Sequence, residues 1–105
     1  MLQFTYSPES WAALIRKPED RTGDVEAIAE SVGGRLVSLY YHFGEFDGTA
    51  IMEVADDSTA NAVVLAAVAS GALRTTKTTR LLSPKEVTES LEKAAKAAYR
   101  PPGNA

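Results

Sequence analysis

The chain has 105 residues, 45 % of them apolar and 24 % charged, with a net charge of −3. That is one domain of ordinary soluble composition, without the basic excess of a nucleic-acid binder. It contains no cysteine and one histidine, which excludes disulfides, thiolate metal centres and a cysteine nucleophile, and fits a reducing compartment.

Leu2, Phe4 and Tyr6 alternate with polar residues and predict a first strand. Ser7 and Pro8 open a helix as N-cap and first helical residue, with Trp11, Leu14 and Ile15 on its apolar side. Pro18 interrupts or restarts that helix. Val25, Ile28, Ala29 and Val32 continue at helical spacing, and Gly33-Gly34 caps the segment. Residues 35–43 and 46–54 read as two strands around a short turn. Asp56 and Asp57 stand at the N-cap and first turn of an alanine- and valine-rich helix over 58–70. A threonine-rich strand follows over 73–82. Ser83-Pro84-Lys85-Glu86 resembles a capping box before a last helix striped by Val87, Leu91, Ala95 and Ala98.

The order strand, helix, strand, strand, helix, strand is the split β-α-β plan. The expected fold is α+β, ferredoxin-like βαββαβ. It has a four-stranded antiparallel sheet, two helices on one face and an extra C-terminal helix. The expected division is a domain over 1–82, a helical extension over 83–99 and a disordered tail over 100–105. No signal peptide and no membrane-spanning run is visible, so the expected location is the cytoplasm.

The stretch HFGEFDG, residues 42–48, holds the only histidine. With a two-residue type II′ turn at Gly44-Glu45, His42 stands opposite Asp47, Tyr41 opposite Gly48 and Tyr40 opposite Thr49. Val37, Leu39, Tyr41, Phe43, Phe46, Gly48, Ala50, Met52 and Val54 then share an apolar face. Leu36, Ser38, Tyr40, His42, Asp47, Thr49, Ile51 and Glu53 share a mixed one. A one-residue slip would mix the two sets. In this register Asp47 lies about 5 Å from His42 at Cβ and would orient its imidazole. The pair either lines a polar pocket with Tyr40 or simply braces a hairpin end or a subunit interface. Ser38, roughly 13 Å along the strand, is too far to be a nucleophile for His42.

No phosphate loop, dinucleotide fingerprint or nucleophile elbow occurs. No cofactor is expected. A metal would need His42, Glu45 and Asp47 from two chains, so none is expected either. Arg74, on the last core strand near Lys77 and Arg80, offers an anion contact or charged protection of a sheet edge.

The run LVSLYYHFGEFDGTAIMEVADD resembles the signature of the GYD-domain family, small bacterial and archaeal proteins named for a glycine-tyrosine-aspartate pattern after the second strand. The resemblance runs from about Phe4 to Leu82. It takes in Gly33-Gly34, the turn GEFD, Asp56-Asp57 and the strand RTTKTTR. Gly44 and Asp47 match the motif, whereas Phe46 replaces its tyrosine. The resemblance implies a dimeric α+β barrel, in which sheets from two chains meet face to face; it carries no established activity.

The expected function is a homo-oligomeric small-molecule-binding or assembly module, its ligand contacts being Tyr40, His42, Asp47, Thr49 and Arg74. The alternative is a cofactor-independent oxygenase or isomerase, with His42 as general base, Asp47 orienting it and Tyr40 donating to an oxyanion. A non-enzymatic role is favoured. The expected partners are further copies of the chain and a small polar ligand, not nucleic acid or membrane.

Overall fold

A computed structural model describes residues 1–103. The strands are β1 (Leu2–Tyr6), β2 (Arg35–Tyr41), β3 (Gly48–Glu53) and β4 (Leu73–Thr78). The helices are α1 (Pro8–Arg16), α2 (Thr22–Ser31), α3 (Asp57–Ala69) and α4 (Pro84–Ala94). The four strands form an antiparallel sheet in the order β2-β3-β1-β4, the ferredoxin-like topology. The first crossover is split into α1 and α2 around Pro18, which cannot continue a helix without losing a backbone hydrogen bond.

Local chemistry sets each boundary. The Ser7 hydroxyl accepts from Ser10 N–H at 3.1 Å, with Pro8 in the first helical turn. After α2, Gly33 N–H bonds Glu30 C=O and Gly34 N–H bonds Ala29 C=O, with Gly33 at φ 79°. This paired closure is the Schellman motif, and it requires the left-handed conformation that glycine adopts freely. The Ser83 hydroxyl and Glu86 carboxylate cap each other's backbone N–H groups and start α4. That helix ends at Ala94, one turn short of Ala98, and β4 ends at Thr78 rather than Leu82. Of the expected tail, residues 104–105 lie outside the described residues.

Asp56 caps α3. Its carboxylate accepts from Thr59 Oγ1 at 2.7 Å and from Thr59 N–H at 2.8 Å. The Thr59 side chain first, then its backbone N–H, holds the carboxyl below its ordinary pKa. A carboxyl whose pKa is depressed by folding contributes stability above the unfolded-state pKa and loses it as pH falls through the folded one. Asp56→Asn, which keeps a capping oxygen but no titration, is therefore expected to flatten the acid side of a pH–stability curve. Thermal unfolding across the acid range tests this. An acid limb of unchanged slope would show that the cap does not contribute to it.

Phe4, Tyr6 and Ala50 form the centre of the core, with Trp11, Leu14, Val25, Leu36, Leu39, Met52 and Leu73 packed against them. Ladder partners share a face, so Leu2, Phe4, Leu39, Tyr41, Gly48 and Ala50 point to the helix layer. Gln3, Tyr40, Thr49 and Lys77 point away from it, with Ser38 and Ile51. The outer β2–β3 register is the one expected, with Tyr40 opposite Thr49 and Tyr41 opposite Gly48. Nearer the start of β2 the pairing shifts by one residue between Leu36 and Ser38. This bulge places Leu36 opposite Met52 and into the core, and leaves Val37 exposed. The expected faces are thus exchanged for Leu36 and Val37, because a bulge inserts one unpaired residue and reverses the alternation beyond it.

Candidate functional site

The hairpin between β2 and β3 is wider than a type II′ turn. His42 N–H and Phe43 N–H both point to Asp47 C=O, at 2.9 and 3.4 Å, and Gly44 N–H donates to Phe46 C=O at 3.0 Å. The positive φ that such a turn would give Gly44 falls on Phe43 instead, at 50°. An aromatic residue in the left-handed region is strained. Packing holds it there: the Phe43 ring stacks on Tyr41 with centroids 6.2 Å apart and lies 5.7 Å from Trp11.

This geometry separates the two residues expected to act together. The backbone of His42 does meet that of Asp47, but no ion pair joins their side chains among the described residues. Asp47 Oδ2 instead accepts from Tyr6 N–H at 3.0 Å and from Trp11 Nε1–H at 2.9 Å. The motif carboxylate thereby ties the hairpin to β1 and α1. The indole N–H can only donate, so an acceptor at this position satisfies a half-buried group that has no alternative role.

His42 lies on the opposite side of the sheet from the helices, and its Nε2 is 2.7 Å from Thr49 Oγ1. Tyr40, the ladder partner of Thr49, is 69 % exposed. Tyr40, His42 and Thr49 therefore make one accessible polar patch. Arg74 does not join it. Arg74 stands at the bulge of β4, whose pairing with β1 shifts between Thr5 and Tyr6, and β4 is the edge opposite β2. Three strand spacings, about 14 Å, separate the two edges.

A second cluster, absent from the sequence reading, lies on the helix side. Tyr6 and Tyr41 hydroxyls are 3.0 Å apart. Tyr6 meets Trp11 edge-on at 5.0 Å and Phe4 at 5.3 Å. Burial, followed by the Tyr6 hydrogen bond, pushes the Tyr41 phenol well above its ordinary pKa, so it is a neutral hydrogen-bonding group rather than a base. The sequence gives no local hint of it, since Asp47 stands 41 and 36 residues from Tyr6 and Trp11; the general signal is that buried indoles and phenols need polar partners. Among the described residues, no group of three or more His, Asp or Glu side chains is placed to hold a metal, and no helix is long and apolar enough to cross a membrane.

The class is thus a small ferredoxin-like α+β domain with a motif-bearing β2–β3 hairpin. Comparison with known families gives a match to the GYD domain over residues 1–91. The chain belongs to the GYD-domain family, whose match extends beyond β4 into α4. No curated protein and no solved structure matched the chain.

Proposed function

We propose that the protein is a homo-oligomeric module that covers its open sheet face with a second copy of itself and holds a small polar ligand at the Tyr40–His42–Thr49 patch. The observation that carries this reading is the exposure of that face. The core helices pack on one side of the sheet, and on or beside the other Tyr40 and Val37 are exposed, with Ile51 half-buried between them. A mixed sheet face that leaves aromatic and aliphatic side chains exposed is stabilised by a second layer. Burying the exposed part of Tyr40 alone contributes about 2 kcal/mol per copy. The family's implied face-to-face dimer fits the same surface. The cysteine-free composition fits a cytoplasmic setting.

The enzymatic alternative is weakened at one point. A general base at His42 would lack the orienting carboxylate, because Asp47 is engaged by Tyr6 and Trp11. Asp47 is accordingly a brace, and the binding patch is reduced to Tyr40, His42 and Thr49.

Sedimentation at micromolar concentration tests the assembly. The wild-type chain is expected to sediment above its 11.2 kDa monomer mass. Ile51→Glu and Tyr40→Glu, which place a charge in the covered face, are expected to shift it toward monomer with unchanged circular dichroism. A monomeric wild type would remove the basis of the proposal.

A further inference from the structure

A cleft of about 330 Å³ opens beside α1 and contains none of the residues of the Tyr40–His42–Thr49 patch. Ser10, Ala13, Leu14 and Lys17 line it at the three- and four-residue spacing of a single helix face. Tyr6 of β1 and Ala72, just before β4, lie across from them, and Glu19 and Arg21 come from the link between α1 and α2.

Most of its polar groups are already engaged. The Ser10 hydroxyl donates to Ala72 C=O at 3.0 Å and accepts from the Ser7 hydroxyl at 3.0 Å. Glu19 accepts from Arg21 Nη1 at 2.8 Å. Two neighbouring donors are left over. The first is one edge of Arg21. Its Nη1 makes both ion pairs, to Glu19 and to Asp24, each at 2.8 Å. Its Nε and Nη2 make no hydrogen bond among the described residues, yet together they form a fork that can grip a carboxylate with two parallel bonds. Glu19 first, then Asp24 and the adjacent Tyr6 phenol, hold the guanidinium charged against its partial burial. The second donor is a phenol. Tyr6 and Tyr41 carry two hydroxyl hydrogens and share one bond at 3.0 Å, so one phenolic hydrogen has no acceptor among the described residues. When Tyr41 donates to Tyr6, the spare hydrogen is that of Tyr6, beside Arg21.

We propose that this cleft binds a small organic monoanion through its carboxylate, held by the Nε–Nη2 edge of Arg21 and the Tyr6 hydroxyl, with Lys17 as a further cation. Charge sets the class of ligand. Lys17 and Arg21 against Glu19 leave the lining one positive charge in excess, in a chain whose net charge is −3. That excess matches a monoanion, whereas a phosphate dianion would be repelled by Glu19. Ala13, Leu14 and Ala72 offer apolar contact to the body of the ligand. A water occupies about 30 Å³ in the liquid, so the cleft takes roughly ten non-hydrogen atoms. Binding selects the order Tyr41 to Tyr6 to carboxylate, a chain in which each hydrogen bond strengthens the next.

The site needs no second copy and is therefore independent of the sheet-face assembly. The probes are benzoate and its neutral counterpart benzamide, titrated into the full chain. NMR of the Arg21 Nε–H and of the α1 backbone amides gives the readout. Benzoate is expected to shift these resonances saturably and to bind about tenfold or more tightly than benzamide. Arg21→Gln is expected to weaken benzoate about tenfold or more and to leave benzamide unchanged. Tyr6→Phe, which keeps the buried ring, is expected to weaken benzoate about fivefold. Arg16→Gln removes a cation of α1 that lies outside the cleft, and is expected to change nothing. Should Arg21→Gln fail to fold by circular dichroism, Lys17→Gln at an exposed side chain takes its place, with a loss of about threefold expected. No saturable shift with benzoate, equal binding of benzamide, or full affinity in the cleft variant overturns the inference. So does an equal loss in Arg16→Gln, which would reduce the effect to general charge attraction. The response of assembly to Ile51→Glu and Tyr40→Glu is decided separately from all of these.

Discussion

Asp47→Ala is expected to cost about 3 kcal/mol of folding stability, the largest effect of any single change in the hairpin. The carboxylate accepts two hydrogen bonds, from Tyr6 N–H and Trp11 Nε1–H. Bonds to a charged acceptor contribute about 1.5–3 kcal/mol each, and deleting the acceptor strands both donors in a half-buried setting. Asp47 N–H also donates to Phe4 C=O at 2.9 Å, a backbone bond that alanine keeps, so the expected loss stands at the low end of what the two side-chain bonds suggest. Asp47→Asn keeps an oxygen at the same place and is expected to cost roughly 1 kcal/mol. Denaturant melts read by Trp11 fluorescence provide the measurement. Equal stability of wild type and Asp47→Ala would show that the motif aspartate is not a brace, and would return it to the binding patch.

Gly48→Ala is expected to be nearly as damaging, about 2–3 kcal/mol. A Cβ there would sit 2.6 Å from Phe4 Cζ and 2.9 Å from Tyr40 O. Phe4 is a core ring, 5 % exposed, and Tyr40 O is backbone of the neighbouring strand, so neither retreats cheaply. Relief requires β2 to separate from β3 or the Phe4 ring to leave its place against Tyr6. Either route disturbs the Tyr41–Gly48 ladder pair that ends the hairpin. Equilibrium unfolding measures the cost, and Phe4→Leu in the same background is expected to recover part of it by vacating the space at Cζ. Failure of that second change to recover any stability would place the strain at Tyr40 O instead.

The elements were legible wherever local chemistry decides them. Ser7-Pro8, Gly33-Gly34, Asp56 and Ser83-Pro84 each announce a helix end through the hydrogen bond that their side chain or backbone geometry makes possible, and each does so in the structure. The outer hairpin register followed from separating apolar from polar residues. What could not be read was the direction of individual side chains near irregular backbone. The bulge at Leu36 and Val37 exchanges their faces, and nothing in two adjacent aliphatic residues signals which one turns inward. Asp47 was misassigned for a related reason. Ladder opposition to His42 is a statement about backbones, whereas the carboxylate was drawn to donors on β1 and α1 that are 41 and 36 residues away in sequence. The patch of Tyr40, His42 and Thr49 was legible because those residues lie in regular strand or close beside it.

The bulge in β2 has a bearing on how this sheet tolerates change in chain length. Elsewhere in β2 and β3 a deletion would turn core side chains outward for the rest of the strand. At Val37 the extra residue is already unpaired and exposed. Removing it would join the two halves of the ladder into one continuous register, with Leu36 still directed to Met52 and Leu39 to Ala50. The edge strand would lose the local kink that bulges impart and would present a straighter rim to other strands. Val37 is thus the one place in the hairpin where evolution or a designer can shorten the chain without repacking the interior, and the consequence would be registered at the rim as a greater tendency to stick edge to edge.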